Sequence, residues 1–153
     1  MKFNKLIINF LNKFLDVFNV QIIKKTFLEK LLRNQLTDLE MLKKIEKNQR
    51  SNFIENLDFS KSQLRQDLFV LCELEFKENG FFVDFGATNG FDISNSYLLE
   101  TKFNWKGILA EPAKKWHSEL IKNRKVNIDK SCVWSVTGEE LPFNEVNDAK
   151  LST

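Results

Sequence analysis

Glycine and proline are scarce in this chain, five and two among 153 residues, against fifteen phenylalanines. That shortage argues against a loop-rich fold and favours helices and buried strands. There is one histidine, His117, and there are two cysteines, Cys72 and Cys132, with no CxxC pair. A His/Cys metal centre therefore lacks its ligands. Each cysteine sits in an apolar run and reads as a reduced, buried thiol. Neither G-x-G-x-x-G nor G-x-x-x-x-G-K-[ST] occurs, so the dinucleotide fingerprint and the phosphate loop are both missing. No internal repeat and no low-complexity tract breaks the chain.

A signal peptide is also not expected. Asn9, Asn12, Lys13 and Asp16 interrupt the first apolar run, and no small-residue cleavage site follows it. The run falls short of the roughly 20 apolar residues that a membrane-spanning helix needs. A cytoplasmic location is the default expectation. The length is enough for one domain with a real core. Charged residues make up 29% and hydrophobic residues 42%, a globular composition. The net charge of +2 is unevenly spread: residues 1–50 hold 11 Lys/Arg against 5 Asp/Glu, and the remainder is acidic. A basic front and an acidic back imply two segments, divided here as residues 1–59 and 60–153.

In the first segment, Phe3, Ile7, Phe10, Leu11, Phe14, Val17 and Phe18 recur at helical steps, so residues 3–25 read as an amphipathic helix. Such a helix suits peripheral contact with an anionic membrane, here the inner surface, or packing on the domain or a second copy. A second helix is expected over residues 27–50 and a linker over 51–61. A third helix is expected over 62–77, with Ser60 and Gln63 at the spacing of a capping box and Asn79-Gly80 as its stop, Gly80 taking the left-handed position.

From residue 81 the pattern alternates. Phe81–Phe85 reads as a strand, 94–103 as a helix, and Lys106–Ala110 as a strand ending in Glu111. A helix opened by Pro112 follows, burying Ala113, Trp116, Leu120 and Ile121. Residues 131–136 read as a third strand, Thr137-Gly138 as a turn and 141–146 as a candidate fourth strand. This order predicts an α/β fold with parallel strands, the first half of a doubly wound sheet. Ligands of such sheets bind beyond the carboxyl ends of the strands.

The first strand runs into Asp84-Phe85-Gly86-Ala87-Thr88-Asn89-Gly90. A carboxylate at the strand end disfavours a pyrophosphate and favours a cationic ligand. S-adenosylmethionine carries a sulfonium and an ammonium and no phosphate. Asp84 is placed to hold its amino-acid end, and Gly86 and Gly90 to let the backbone approach closely. Glu111, at the end of the next strand, is placed to accept bonds from both ribose hydroxyls. Each residue also has a plainer reading: Asp84 as a turn cap, the glycines as turn residues, Glu111 as a helix cap, and His117 as a surface residue of its helix. No general base is assigned.

Ser62-Gln63 with Gln66-Asp67, Phe82 to Gly90, Ser94-Asn95, and Lys106-Gly107-Ile108-Leu109-Ala110-Glu111-Pro112 together resemble the FkbM-type methyltransferases. The resemblance covers about residues 60–153. It implies the class I methyltransferase (Rossmann-like) fold, S-adenosylmethionine as cofactor, and O-methylation of a sugar or glycan-related hydroxyl. Asp84, Gly86 and Gly90 match the first cofactor motif, with Ala87 and Asn89 inside it, and Glu111 matches the ribose-binding acid. A small-molecule or glycan acceptor is expected and a nucleic-acid partner is not. A class I sheet has seven strands and only three or four are readable here. The chain is therefore expected to be a fragment of a longer protein, or to need a partner chain. A cofactor-binding remnant without transfer, and an interaction protein led by residues 1–50, are the alternatives.

Overall fold

The structure is a computed structural model that describes residues 36–144, together with residues 9, 11 and 13. The chain divides into two compact units between Leu39 and Glu40. In the first unit the described residues are helical, and the expected helix over 3–25 otherwise lies outside the described residues. So do residues 27–35 of the second expected helix. Among the described residues, no helix is long and apolar enough to cross a membrane.

Residues 36–44 are helical, but the helix does not run on to residue 50. Glu46 turns extended, with ψ of 143°, and a short 3-10 turn over Lys47–Gln49 leads into α1, Arg50–Asn56. The expected linker over 51–61 thus begins as a helix. Its anchor is Phe53, which is wholly buried in the core, with Met41, Leu42, Ile45 and Leu57 packed beside the same cluster. One anchoring aromatic among polar residues leaves no periodicity to read.

The next helix, α2, spans Gln66–Glu73, shorter at both ends than 62–77. No capping box forms. Ser60 and Ser62 instead donate their hydroxyls to Oδ1 of the buried Asp67, at 2.7 and 2.6 Å, while Arg65 takes a left-handed φ of 61° just before the helix. At the other end Glu75 and Phe76 turn left-handed, and the Phe76 ring packs 6.1 Å from that of Phe103. At the expected stop it is Asn79, at φ 58°, that is left-handed. Gly80 serves a different need: a Cβ there would lie 2.5 Å from the Trp105 ring.

Among the described residues three strands follow: β1 (Phe81–Phe85), β2 (Lys106–Ala110) and β3 (Asn127–Asp129), joined through α3 (Tyr97–Phe103) and α4 (His117–Asn123). They form one parallel sheet in the order β1-β2-β3. Phe82 pairs with Gly107, Asp84 with Leu109, and Leu109 in turn with Ile128. The third strand therefore falls on 127–129, not 131–136. Residues 130–144 contain the Thr137-Gly138 turn but no strand, and residues 145 and 146 of the expected fourth strand lie outside the described residues. Pairing with β2 decides the matter, because the Asp129 carbonyl accepts the Glu111 amide at 2.9 Å. Pro112 and Ala113 stay outside α4, which starts after a 3-10 turn over Lys114–Trp116, and Ile121 is exposed.

One face of the sheet is packed. Phe82 and Leu109 meet Leu68 and Leu71 from α2, Leu98, Leu99 and Phe103 from α3, and Leu120 from α4. Each such buried side chain contributes about 1.5–3 kcal/mol. The other face is bare along β1: Phe81, Val83 and Phe85 are 63, 54 and 63% exposed. Parallel sheets are ordinarily covered on both faces.

Candidate functional site at the carboxyl edge of the sheet

The residues after β1 fold back over the end of β2. The Ala110 carbonyl accepts the Gly86 amide at 2.8 Å and the Ala87 amide at 3.3 Å. Gly86 needs its positive φ of 72° to make that fold, and Thr88 follows at φ 50°. A Cβ on Gly86 would meet no atom within 4 Å. Gly86 thus borders open space, as a residue beside a ligand would.

Gly90 is different. It too has a positive φ, 73°, but a Cβ there would lie 2.6 Å from both Arg124 Cγ and Leu120 Cδ1. Its close approach is to the protein's own side chains, not to a pocket. Asn89 is also turned inward. Its Oδ1 accepts the amides of Phe91 and Asp92, and its Nδ2 donates to Asp92 and Glu119. That arrangement is an Asx turn that shapes the loop. Ala87 is buried in the core cluster. Of the residues assigned to the first motif, Gly86 faces the cavity, while Ala87, Asn89 and Gly90 build the loop behind it.

The two acids sit at neighbouring strand ends. Asp84 is half-buried, and its Oδ2 accepts the Ser96 hydroxyl at 2.5 Å. Among the described residues its other oxygen has no hydrogen-bond partner. Glu111 is only 4% exposed, and each of its oxygens holds a backbone amide: Oε2 that of Thr88 at 2.7 Å, Oε1 that of Ala113 at 2.8 Å. Glu111 thus clamps the β1 loop to the chain after β2 and helps open the turn before α4. A carboxylate offers about four lone-pair positions, so two bonds leave acceptor capacity. His117 sits behind this point, its Nε2 2.8 Å from the Glu111 carbonyl oxygen, which makes that nitrogen the donor.

Beside Gly86 and Glu111 lies a cavity of about 560 Å³, lined among others by Thr88, Cys132, Trp134 and Phe143; Asp84 is not one of its lining residues. Among the described residues, none that lines it is Lys, Arg or His. Cys132 is exposed, contrary to the buried thiol expected, because residues 131–136 are not a strand of the sheet. Cys72 is buried, and desolvation, followed by the nearby Glu73 carboxylate, pushes its thiol up to about 11.

Three contributors escaped the sequence reading. Asp129 ends β3 on the same edge, its carboxyl held below the usual range by the Ser131 amide at 2.8 Å. Its signal was there: Val126-Asn127-Ile128-Asp129 is another short run ending in an acid. Ser96 falls inside the segment 94–103 expected as a helix, and nothing local marks its bond to Asp84. Arg124 looks like a solvated basic helix end in Asn123-Arg124-Lys125, yet it is 3% exposed. No family model, curated protein or solved structure matches the chain. The fold is mixed α/β, a small parallel sheet with helices packed on one face, and the candidate site lies at its carboxyl edge.

Proposed function

We propose that the chain binds S-adenosylmethionine at this edge and is the first half of a class I methyltransferase sheet, acting on a sugar or glycan-related hydroxyl. The observation that supports this best is that Asp84, opposite Leu109 near the end of β1, and Glu111, just past the end of the adjacent β2, lie at one edge of the sheet where Gly86 borders open space.

The residues fit that cofactor. An edge carrying carboxylates and a cavity whose described lining holds no cationic side chain disfavour phosphate, while a sulfonium and an ammonium suit them. The unpartnered oxygen of Asp84 is available to an ammonium group. Glu111 keeps acceptor capacity for ribose hydroxyls, and the apolar wall of Val133, Trp134 and Phe143 suits a purine. When bound, the cofactor would supply a methyl group on its sulfonium sulfur for transfer to the acceptor hydroxyl oxygen, leaving a neutral thioether and a hydroxyl proton that would pass to a base or to water. The chain's own contribution is to hold and orient, which lowers the entropic cost of an in-line encounter. With the Nε2 proton of His117 tied to a carbonyl and no Lys or His among the described residues of the cavity wall, no side chain is assigned as the base.

Calorimetric titration of the full chain with S-adenosylhomocysteine tests the reading. Alanine at Asp84 and at Glu111 should each weaken binding about tenfold or more. Affinity unchanged in both variants would falsify the assignment. Binding without methyl transfer to any sugar acceptor would favour a cofactor-binding protein instead.

A further inference from the structure

Behind the site, Arg124 gathers one end of the loop and one of its acids. Its Nε pairs with the Glu100 carboxylate. Nη1 donates to the Gly90 carbonyl and to Ser94 Oγ, both at 3.2 Å, and Nη2 donates to Ser96 Oγ at 3.1 Å. The guanidinium also lies 5.6 Å from the centre of the Phe82 ring and 5.8 Å from that of Tyr97. Ser96 then passes the contact on to Asp84.

The direction of this chain is fixed by chemistry. A guanidinium can only donate, so the Ser96 oxygen accepts from Arg124, and its single proton must go to the Asp84 carboxylate. Asp84 is thereby held by one oxygen, and the other keeps its acceptor capacity. The planar fork of arginine makes these contacts simultaneously, which a lysine ammonium cannot reproduce.

We infer that Arg124 is a positioning residue for Asp84, acting through Ser96, and that this relay governs recognition of the amino-acid end of the cofactor. The inference rests on the cofactor reading above. It assigns Arg124 no contact with ligand. Its specific consequence is selective: the relay affects a ligand that carries an amino-acid end and leaves alone one that lacks it.

Two ligands separate this from a general loosening of the fold. S-adenosylhomocysteine carries the amino-acid end, and methylthioadenosine keeps the adenosine and thioether but lacks it. Calorimetry is run on the full wild-type chain, on Ser96→Ala, which removes one hydroxyl, and on Arg124→Lys. Ser96→Ala should bind S-adenosylhomocysteine about tenfold more weakly and methylthioadenosine as the wild type does. Arg124→Lys, where it keeps the wild-type circular dichroism spectrum, should show the same selectivity. A Ser96→Ala protein that loses affinity equally for both ligands, or for neither, overturns the inference and leaves the cofactor reading standing. A wild type that binds neither ligand overturns the cofactor reading and this inference with it.

Discussion

The carboxylate of Glu111 holds the amide of Thr88, 23 residues earlier in the chain, at 2.7 Å. Its other oxygen holds Ala113, so one side chain fixes the segments after both β1 and β2. In Glu111→Gln one oxygen becomes an NH2 group facing a backbone N–H, and a buried amide loses its acceptor. We expect a loss of about 1–3 kcal/mol. Urea unfolding of the variant beside wild type measures it, and an unchanged midpoint at equal slope would show that the clamp is idle.

The two glycines of the loop should respond differently to alanine. Gly90→Ala forces a methyl group into Leu120 and Arg124 on top of an unfavourable φ, and should cost more than about 2 kcal/mol. Gly86→Ala meets no atom and carries only the backbone strain, about 1 kcal/mol. For ligand binding the order reverses, since only Gly86 borders the cavity. Thermal melts and titration with S-adenosylhomocysteine test the crossing; a common ranking in both would refute it.

These glycines also mark how far the sequence could be read. The apolar runs before Asp84 and Glu111 located β1, β2 and the edge they share, because buried strands announce themselves. Which face of the loop each residue takes was hidden. Gly86 and Gly90 have the same φ sign, and what separates them is the side chains of α4, remote in sequence. The third strand was misplaced for a related reason. Ser131–Val136 is richer in β-formers than Asn127–Asp129, but pairing with β2, not propensity, selects the strand. Arg124 was missed because nothing local tells a buried cation from a solvated one.

The two thiols should differ sharply. At pH 8 in the folded chain, iodoacetamide should modify the exposed Cys132 and spare the buried Cys72, whose thiol lies at about 11. On the proposed reading, saturating S-adenosylhomocysteine slows labelling of Cys132. Because the Cys72 pKa is raised in the fold, its contribution to stability is intact below pH 9 and falls as pH rises from about 9 to 11. Cys72→Ala should flatten the decline in unfolding free energy over that window. Equal labelling of both thiols, or an unaltered alkaline slope, would contradict this.

The bare face of β1 yields another expectation. Phe81→Thr with Val83→Thr removes exposed apolar surface without touching the packed face. Stability should change by no more than about 0.5 kcal/mol per site, and binding of a hydrophobic dye should drop. A loss of several kcal/mol on urea unfolding would mean that these side chains are buried in solution.

The Arg124 contact with the Gly90 carbonyl spans 34 residues, and it has an order in time. On a ribosome adding roughly 5–20 residues per second, Asp84, the loop and Ser96 all emerge before the guanidinium that fixes them. Part of the site's entropy is therefore surrendered late, when the second crossover closes: a nascent chain paused before residue 124 would carry the Glu111 clamp on Thr88 but not the contacts that fix Gly90, Ser94 and Ser96.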